Sequence, residues 1–178
     1  MLTSLRMLVL MMVITGFLCT ATLTFLAQAF FPVTANGSLV TNAQGQVVGS
    51  QLIAQKFVDA KYFWARPSAV DYNPQPSGGS QFSLSNKAFR DAMTQRRSDG
   101  QEGSLLFTSG SGLDPHIFVA DALAQMERIA RARHLNEIQM QRLMTLVMES
   151  HEPRKFGLLG EERINVLMLN LKMDELFK

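Results

Sequence analysis

The sequence predicts an α+β protein with a single N-terminal transmembrane helix (residues 1–31) followed by one mixed α+β domain outside the cytoplasm (32–178). Three observations carry this reading. Residues 7–31 hold no Asp, Glu, Lys or Arg, and such a run is long enough to cross a hydrocarbon core of roughly 30 Å as a helix. Beyond Pro32, short β-branched or aromatic runs bounded by turn residues are mixed with longer segments of helical apolar spacing. The only cysteine, Cys19, lies inside the apolar run, so no intramolecular disulfide is available. A domain of this length can bury a core without one.

The flanks of the span set its orientation. Arg6 and the amino terminus precede it and the next charge is Lys56, so the short N-terminus is expected in the cytoplasm and 32–178 outside the inner membrane. Thr15, Thr20, Thr22, Thr24 and Gln28 can bond back to the helix or to a neighbouring one, and Gly16 fits either a close helix contact or no particular role. Ala27-Gln28-Ala29 fits a signal-peptidase site, but the apolar run before it is longer than a signal peptide needs. A lipoprotein reading through Cys19 is weakened by Leu18, which is large where a small residue is expected. The helix is therefore expected to stay as an anchor in lipid through residues 7–31.

Past Pro32, residues 37–40 and 46–49 read as two short strands around a turn at 42–45. Ser50 is expected to cap a helix over 51–58 with Leu52, Ile53 and Phe57 inward. The Arg66-Pro67 step demands extended chain before it, which makes 62–66 strand or extended. The Pro/Gly-rich stretch 71–80 is a loop. Ser85 or Asn86 can cap a helix to about Arg97, with Ala88, Phe89, Ala92 and Met93 on one face. Residues 98–104 read as a polar linker and 105–109 as a buried strand. A helix over 119–134 would carry Leu123, Met126, Ile129 and Ala130 inward, with a basic last turn that suits the helix dipole. Asn136 caps the next helix, to about Ser150, with Ile138, Leu143, Leu146 and Val147 on its apolar face. Residues 163–171 are apolar at successive positions, as a strand buried on both faces would be.

Charge excludes one function class. The chain has 17 basic and 15 acidic residues, and its few clustered arginines do not make the basic face that nucleic acid needs. Residues 109–116, Ser-Gly-Ser-Gly-Leu-Asp-Pro-His, are the most suggestive segment, since glycines and serines in a turn can offer N–H groups to an anion. The segment lacks the Gly-Lys-Ser/Thr of a phosphate loop and the spacing of a nucleophile elbow. A Ser111/His116/Asp114 triad would be cramped into six residues. The simpler expectation is that Asp114 with Ser109 or Ser111 bonds the turn's own backbone, stiffened by Pro115. The histidines at 116, 134 and 151 have no metal-ligand spacing, so no metal is expected. Arg66, and Arg128 one helical turn from Gln125, could meet an anionic ligand or partner, or face solvent.

The order of motifs adds more. Asn36-Gly37-Ser38-Leu39, then Gly49-Ser50 with Leu52-Ile53, Gln55 and Phe57, then Tyr62-Phe63 with Arg66-Pro67-Ser68-Ala69 come in sequence. Tyr72-Asn73-Pro74 with Ser77-Gly78-Gly79-Ser80 follows, then 109–117, then Gln125 with Arg128-Ile129-Ala130 and Ala132-Arg133, and last Asn165-Val166-Leu167 with Leu169-Asn170-Leu171. From end to end this resembles the C subunit of the bacterial Kdp-type potassium-transporting ATPase. Gln81 replaces the usual asparagine, Phe118-Val119 replaces the usual Ser-Pro, and the stretch between Arg97 and Leu105 is short.

The resemblance implies a non-catalytic subunit that partners a potassium-channel-like subunit and a P-type ATPase subunit. It implies a role in assembly and stability and in raising the ATP affinity of the ATPase subunit. ATP itself is a cofactor only by this resemblance, through contacts at Ser109, Ser111, Asp114, His116 and Gln125. A domain outside the membrane cannot touch cytoplasmic ATP, so an effect on ATP affinity is expected as coupling between sites. Aromatics and arginine are enriched at protein contact surfaces, which nominates Tyr62, Phe63, Trp64, Arg66, Tyr72 and Asn73 for partner contact. The alternative is a membrane-tethered external hydrolase or binding module built on the 109–116 turn.

Overall fold

A computed structural model describes residues 2–42 and 45–177. The chain divides into two compact units, Met1–Ser50 and Gln51–Lys178, so the hairpin that follows the apolar N-terminal helix groups with that helix.

In the first unit, helix α1 (Leu2–Phe30) is long and apolar enough to cross a membrane, and none of its most apolar window is buried within the chain. Its middle, Met12–Cys19, is wound as a π-helix. The threonines bond back to the helix: Thr15 to the Met11 carbonyl at 2.7 Å, Thr20 to that of Phe17 at 3.1 Å and Thr22 to that of Leu18 at 2.8 Å. Back-bonding hides each hydroxyl and leaves methyls facing out, which suits hydrocarbon. Pro32 opens a short helix, α2 (Pro32–Ala35), after which Asn36 Nδ2 donates to Gln28 Oε1 at 3.2 Å. Strands β1 (Leu39–Thr41) and β2 (Val47–Ser50) then form the predicted antiparallel hairpin. Ala43 and Gln44, at the predicted turn, lie outside the described residues. Ser50 does not cap a helix: it ends β2 and its hydroxyl donates to the Gly37 carbonyl at 2.7 Å.

The second unit is mixed α and β, as predicted. Its helices are α3 (Lys87–Ser98), α4 (Val119–Arg133), α5 (Glu137–Glu149) and α6 (Val166–Leu176). Strands β3 (His116–Phe118), β4 (His151–Glu152) and β5 (Arg163–Asn165) form an antiparallel sheet in the order β3-β5-β4. Asn86 caps α3 by accepting from Ala88 N at 2.8 Å, and Asn136 caps α5 as expected, with Gln139 reaching back to its N–H to complete a capping box. Phe63, Ile117, Ile129, Leu143, Val147, Ile164, Leu169 and Met173 form the fully buried heart of the core.

Several expectations fail, each for a local reason. Residues 51–58 form no helix; only Ala54 is buried there, while Leu52 and Ile53 are exposed. Residues 103–106 make a 3₁₀ turn that buries Leu105 and Leu106, and 105–109 is not a strand. The 163–171 run is a strand only to Asn165. Asn165 then caps α6 by accepting from Met168 N at 3.2 Å, and the remaining apolar residues are a helix buried on most sides. Periodicity cannot separate a buried helix from a buried strand when nearly every position is apolar. On α4 the inward set is Ala122, Met126 and Ile129 with the polar Asp121 and Gln125, while Leu123 faces out; on α5, Ile138 faces out.

Candidate functional site

After a turn and bend at 59–62, the segment from Phe63 to Ser68 crosses the core without joining a sheet, and side-chain amides serve it in place of a neighbouring strand. Asn170 of α6 accepts the Phe63 N–H at 2.8 Å and donates to the Phe63 carbonyl at 3.0 Å. Gln125 of α4 does the same for Trp64, accepting its N–H at 2.8 Å and donating to its carbonyl at 3.2 Å. Both amides are buried, and buried polar groups persist only when paired in this way. Arg128, a turn after Gln125, donates to Gln125 Oε1 at 2.7 Å and to the Tyr62 carbonyl at 3.0 Å, and also to the Ala60 carbonyl. Its guanidinium lies 3.7 Å from the centre of the Trp64 ring, a cation–π stack. Burial pulls Arg128 down to about 10, which still leaves it charged at neutral pH. Arg133 donates to the Lys61 carbonyl at 2.9 Å and pairs with Asp174, which also accepts the Tyr62 hydroxyl at 3.0 Å.

These facts revise the expected sites. Phe63 is fully buried, because its ring is the centre of the core, so it cannot be part of an exposed contact surface. Gln125 and Arg128 do not wait for an anion; their polar atoms hold the 60–64 backbone. Tyr62, Trp64, Arg66 and Tyr72 are half-buried and Asn73 is exposed. Tyr72 donates its hydroxyl to the Arg66 carbonyl at 3.0 Å, and Asn73 Oδ1 accepts from Gln75 N at 2.9 Å.

The 109–116 turn is built against the 77–80 turn. Gly78 N and the Ser77 hydroxyl donate to the Ser111 carbonyl at 2.9 and 2.8 Å. Gly112 has φ +71°, and a Cβ there would lie 2.7 Å from the Gly78 carbonyl oxygen, so two glycine-rich loops meet backbone to backbone. The turn's N–H groups are used inside the unit: Ser109 N to Pro67 O, Gly112 N to Ser109 O, Leu113 N to Ser111 Oγ and His116 N to Asp114 Oδ1. The simpler expectation thus holds for Ser111 and Asp114. Among the described residues, neither the buried Ser109 hydroxyl nor the buried Nε of Arg66 has a hydrogen-bond partner.

Sheet register gathers what the sequence had left apart. His116 pairs with Asn165 in β5, whose Arg163 and Ile164 pair with β4. This puts His116 Nε2 3.6 Å from Glu152 Oε1 and its Nδ1 3.4 Å from Asp114 Oδ1, while Arg66 is 3.7 Å from Asp114 Oδ2. Arg163 donates to Glu152 Oε2 at 2.9 Å. The His116 ring, above all, holds the Asp114 carboxyl below its usual range, helped by the His116 N–H and Arg66 against burial, which raises it. Arg66, Asp114, His116, Glu152, Lys155 and Arg163 line a cleft of about 450 Å³. Glu152, Lys155 and Arg163 carry no motif that announces this, since only strand pairing brings them in. Among the described residues no group of three His, Cys, Asp or Glu side chains is placed to hold a metal ion.

Comparison with known proteins is consistent across the whole chain. The family described as K+-transporting ATPase, c chain (KdpC), matches residues 1–175. The potassium-transporting ATPase KdpC subunit of Leptospira interrogans is 45% identical over 183 residues, covering 98% of this chain and 93% of that one. The KdpC subunit of Synechocystis is 42% identical over 184 residues, covering 96% and 95%. That of Geobacter sulfurreducens is 44% identical over 181 residues, covering 96% and 94%.

Proposed function

We propose, for a chain that belongs to the K+-transporting ATPase c-chain family and is thereby a subunit of a potassium-transporting ATPase complex, that it is the non-catalytic assembly subunit of that complex. In this reading its partners are a channel-like potassium-carrying subunit and a P-type ATPase subunit. One span anchors it in the inner membrane, with the N-terminus cytoplasmic and 32–178 on the outer face. Any rise in the ATPase subunit's affinity for ATP is transmitted as coupling between distant sites.

One observation carries the non-catalytic reading. Of the residues the sequence nominates for nucleotide or catalytic chemistry, Ser111, Asp114, His116 and Gln125 are all engaged within the domain and only the Ser109 hydroxyl is not. The Ser111 hydroxyl accepts the Leu113 N–H, Asp114 accepts from His116 N, and Gln125 holds Trp64. A nucleophile needs its base within hydrogen-bond reach, whereas His116 sits between two carboxylates. A second reading, direct nucleotide contact, has in its favour the cations Arg66, Lys155 and Arg163 lining one cleft.

The test is purification of the tagged full chain in mild detergent from potassium-starved cells. Two large membrane partners and a potassium-stimulated ATPase that is lost on removing this chain are expected. The chain arriving alone, or an ATPase indifferent to it, overturns the proposal. Protease added to spheroplasts should digest 32–178, and protection there refutes the orientation. Trp64→Ala with Arg66→Ala should weaken co-purification; unchanged recovery removes those residues from the contact surface.

A further inference from the structure

The loop between β4 and β5 ends in a tip whose Phe156 and Leu158 side chains the domain itself does not use. Lys155 and Leu159 close it as an isolated antiparallel bridge, with N–H···O bonds of 2.9 and 3.0 Å in the two directions. Phe156 and Leu158 are 92% and 84% exposed, the most exposed large apolar side chains of this unit among the described residues, and Leu159 is 64% exposed. Phe156 has φ +56° and the following Gly157 φ +73°. A bulky residue held at positive φ is uncommon, and with its ring in solvent it gains nothing within the domain. The compensating contact has to come from outside.

The chemistry of the tip selects the contact. A protein interface of ordinary stability buries roughly 800 Å² on each side, more than three side chains on a convex turn can supply; around Gly157 there is nothing within 4 Å of an added Cβ. An aromatic ring beside leucines, with cations at the base, is instead the composition that enters a bilayer interface. Arg154 pairs with Glu161 at 3.4 Å, but Lys155 has no ion-pair partner among the described residues, so its ammonium is available to an anionic headgroup. Three apolar side chains alone give marginal, reversible membrane binding and become useful only beside a second anchor. This chain has one in α1, separated from the unit by residues 31–50.

We propose that the 155–159 tip inserts at the headgroup–acyl boundary of an anionic bilayer, Phe156 and Leu158 among the acyl chains and Lys155 on lipid phosphate. The tip is then a second membrane contact that limits how the domain can tilt on its tether. This rests on the retained span and not on the assembly role.

The full chain, reconstituted in vesicles of phosphatidylethanolamine and phosphatidylglycerol, tests it with an environment-sensitive thiol fluorophore. Label on the native Cys19 reports the span; label on the Cys19→Ser/Leu158→Cys variant reports the tip. We expect both labels to be blue-shifted, quenched by nitroxide lipids and severalfold less accessible to iodide than in the urea-unfolded chain. Phe156→Asp should return the tip label to water without moving the unfolding midpoint. Lys155→Glu should remove the preference for vesicles containing phosphatidylglycerol. A tip label in water beside a Cys19 label in hydrocarbon overturns the proposal and leaves the span intact. A Cys19 label in water overturns the span and the proposal with it. A tip label shielded only when the other subunits are present assigns the tip to a protein contact and also overturns it.

Discussion

Replacing Asn170 by leucine removes the clamp that holds Phe63 while keeping nearly the same volume. Asn170 is 2% exposed, and its two bonds satisfy both the N–H and the carbonyl of Phe63, a residue with no exposed surface. Each buried backbone group left without a partner costs about 1–3 kcal/mol, so the pair should cost about 2–6 kcal/mol. The near-isosteric side chain adds little cavity energy. That is a large share of the roughly 5–15 kcal/mol that holds a domain together. Urea unfolding of the full chain in mild detergent can be followed by the fluorescence of Trp64, the only tryptophan, which neighbours the clamp. With a mid-range slope of about 2 kcal/mol per molar urea, the midpoint should fall by about 1–3 M. Asn170→Asp should be no better, since it keeps the acceptor for Phe63 N–H but sets an acceptor against the Phe63 carbonyl. A loss under about 0.5 kcal/mol at unchanged slope, less than one unpaired buried group costs, would refute the idea that these amides replace a missing strand.

Arg128→Met should change Trp64 emission by removing the guanidinium stacked on its ring, and should cost about 1–3 kcal/mol by unpairing the carbonyls it serves; unaltered emission would contradict the stack. Asp114 has a depressed folded-state pKa, so the stability it contributes is present above its unfolded value of about 4 and is lost as pH falls through the folded value. The unfolding midpoints of the native chain and Asp114→Asn should therefore differ at neutral pH and converge in acid, and a gap that widens in acid reverses the assignment. Gly112→Ala places a methyl against the Gly78 carbonyl at positive φ and should destabilise by at least about 1 kcal/mol, read as a lower urea midpoint. A neutral result would mean that the two glycine-rich turns do not pack as described.

What the sequence determined alone was whatever depends on neighbours along the chain. The apolar run of α1, the Asn86 and Asn136 caps, the presence of helices α4 and α5 and the turn bonding of Asp114 and Ser111 need contacts only a few residues apart. Order and spacing of the motifs were also enough to point to the family. Tertiary structure decided the rest. Leu52 and Ile53 look like core by composition, yet they stay exposed, and no helix forms where burial does not support one. The apolar 163–171 run fits strand and helix equally, and Asn165 settles it by capping α6. Gln125 and Arg128 read as ligand-seeking polar groups until the 60–64 backbone is seen beneath them. A strand that lacks a ladder neighbour must satisfy its N–H and C=O groups with whatever the fold brings near. Glu152 and Arg163 join His116 for the same reason: residues far apart in the chain become neighbours only through antiparallel register, which local sequence does not encode.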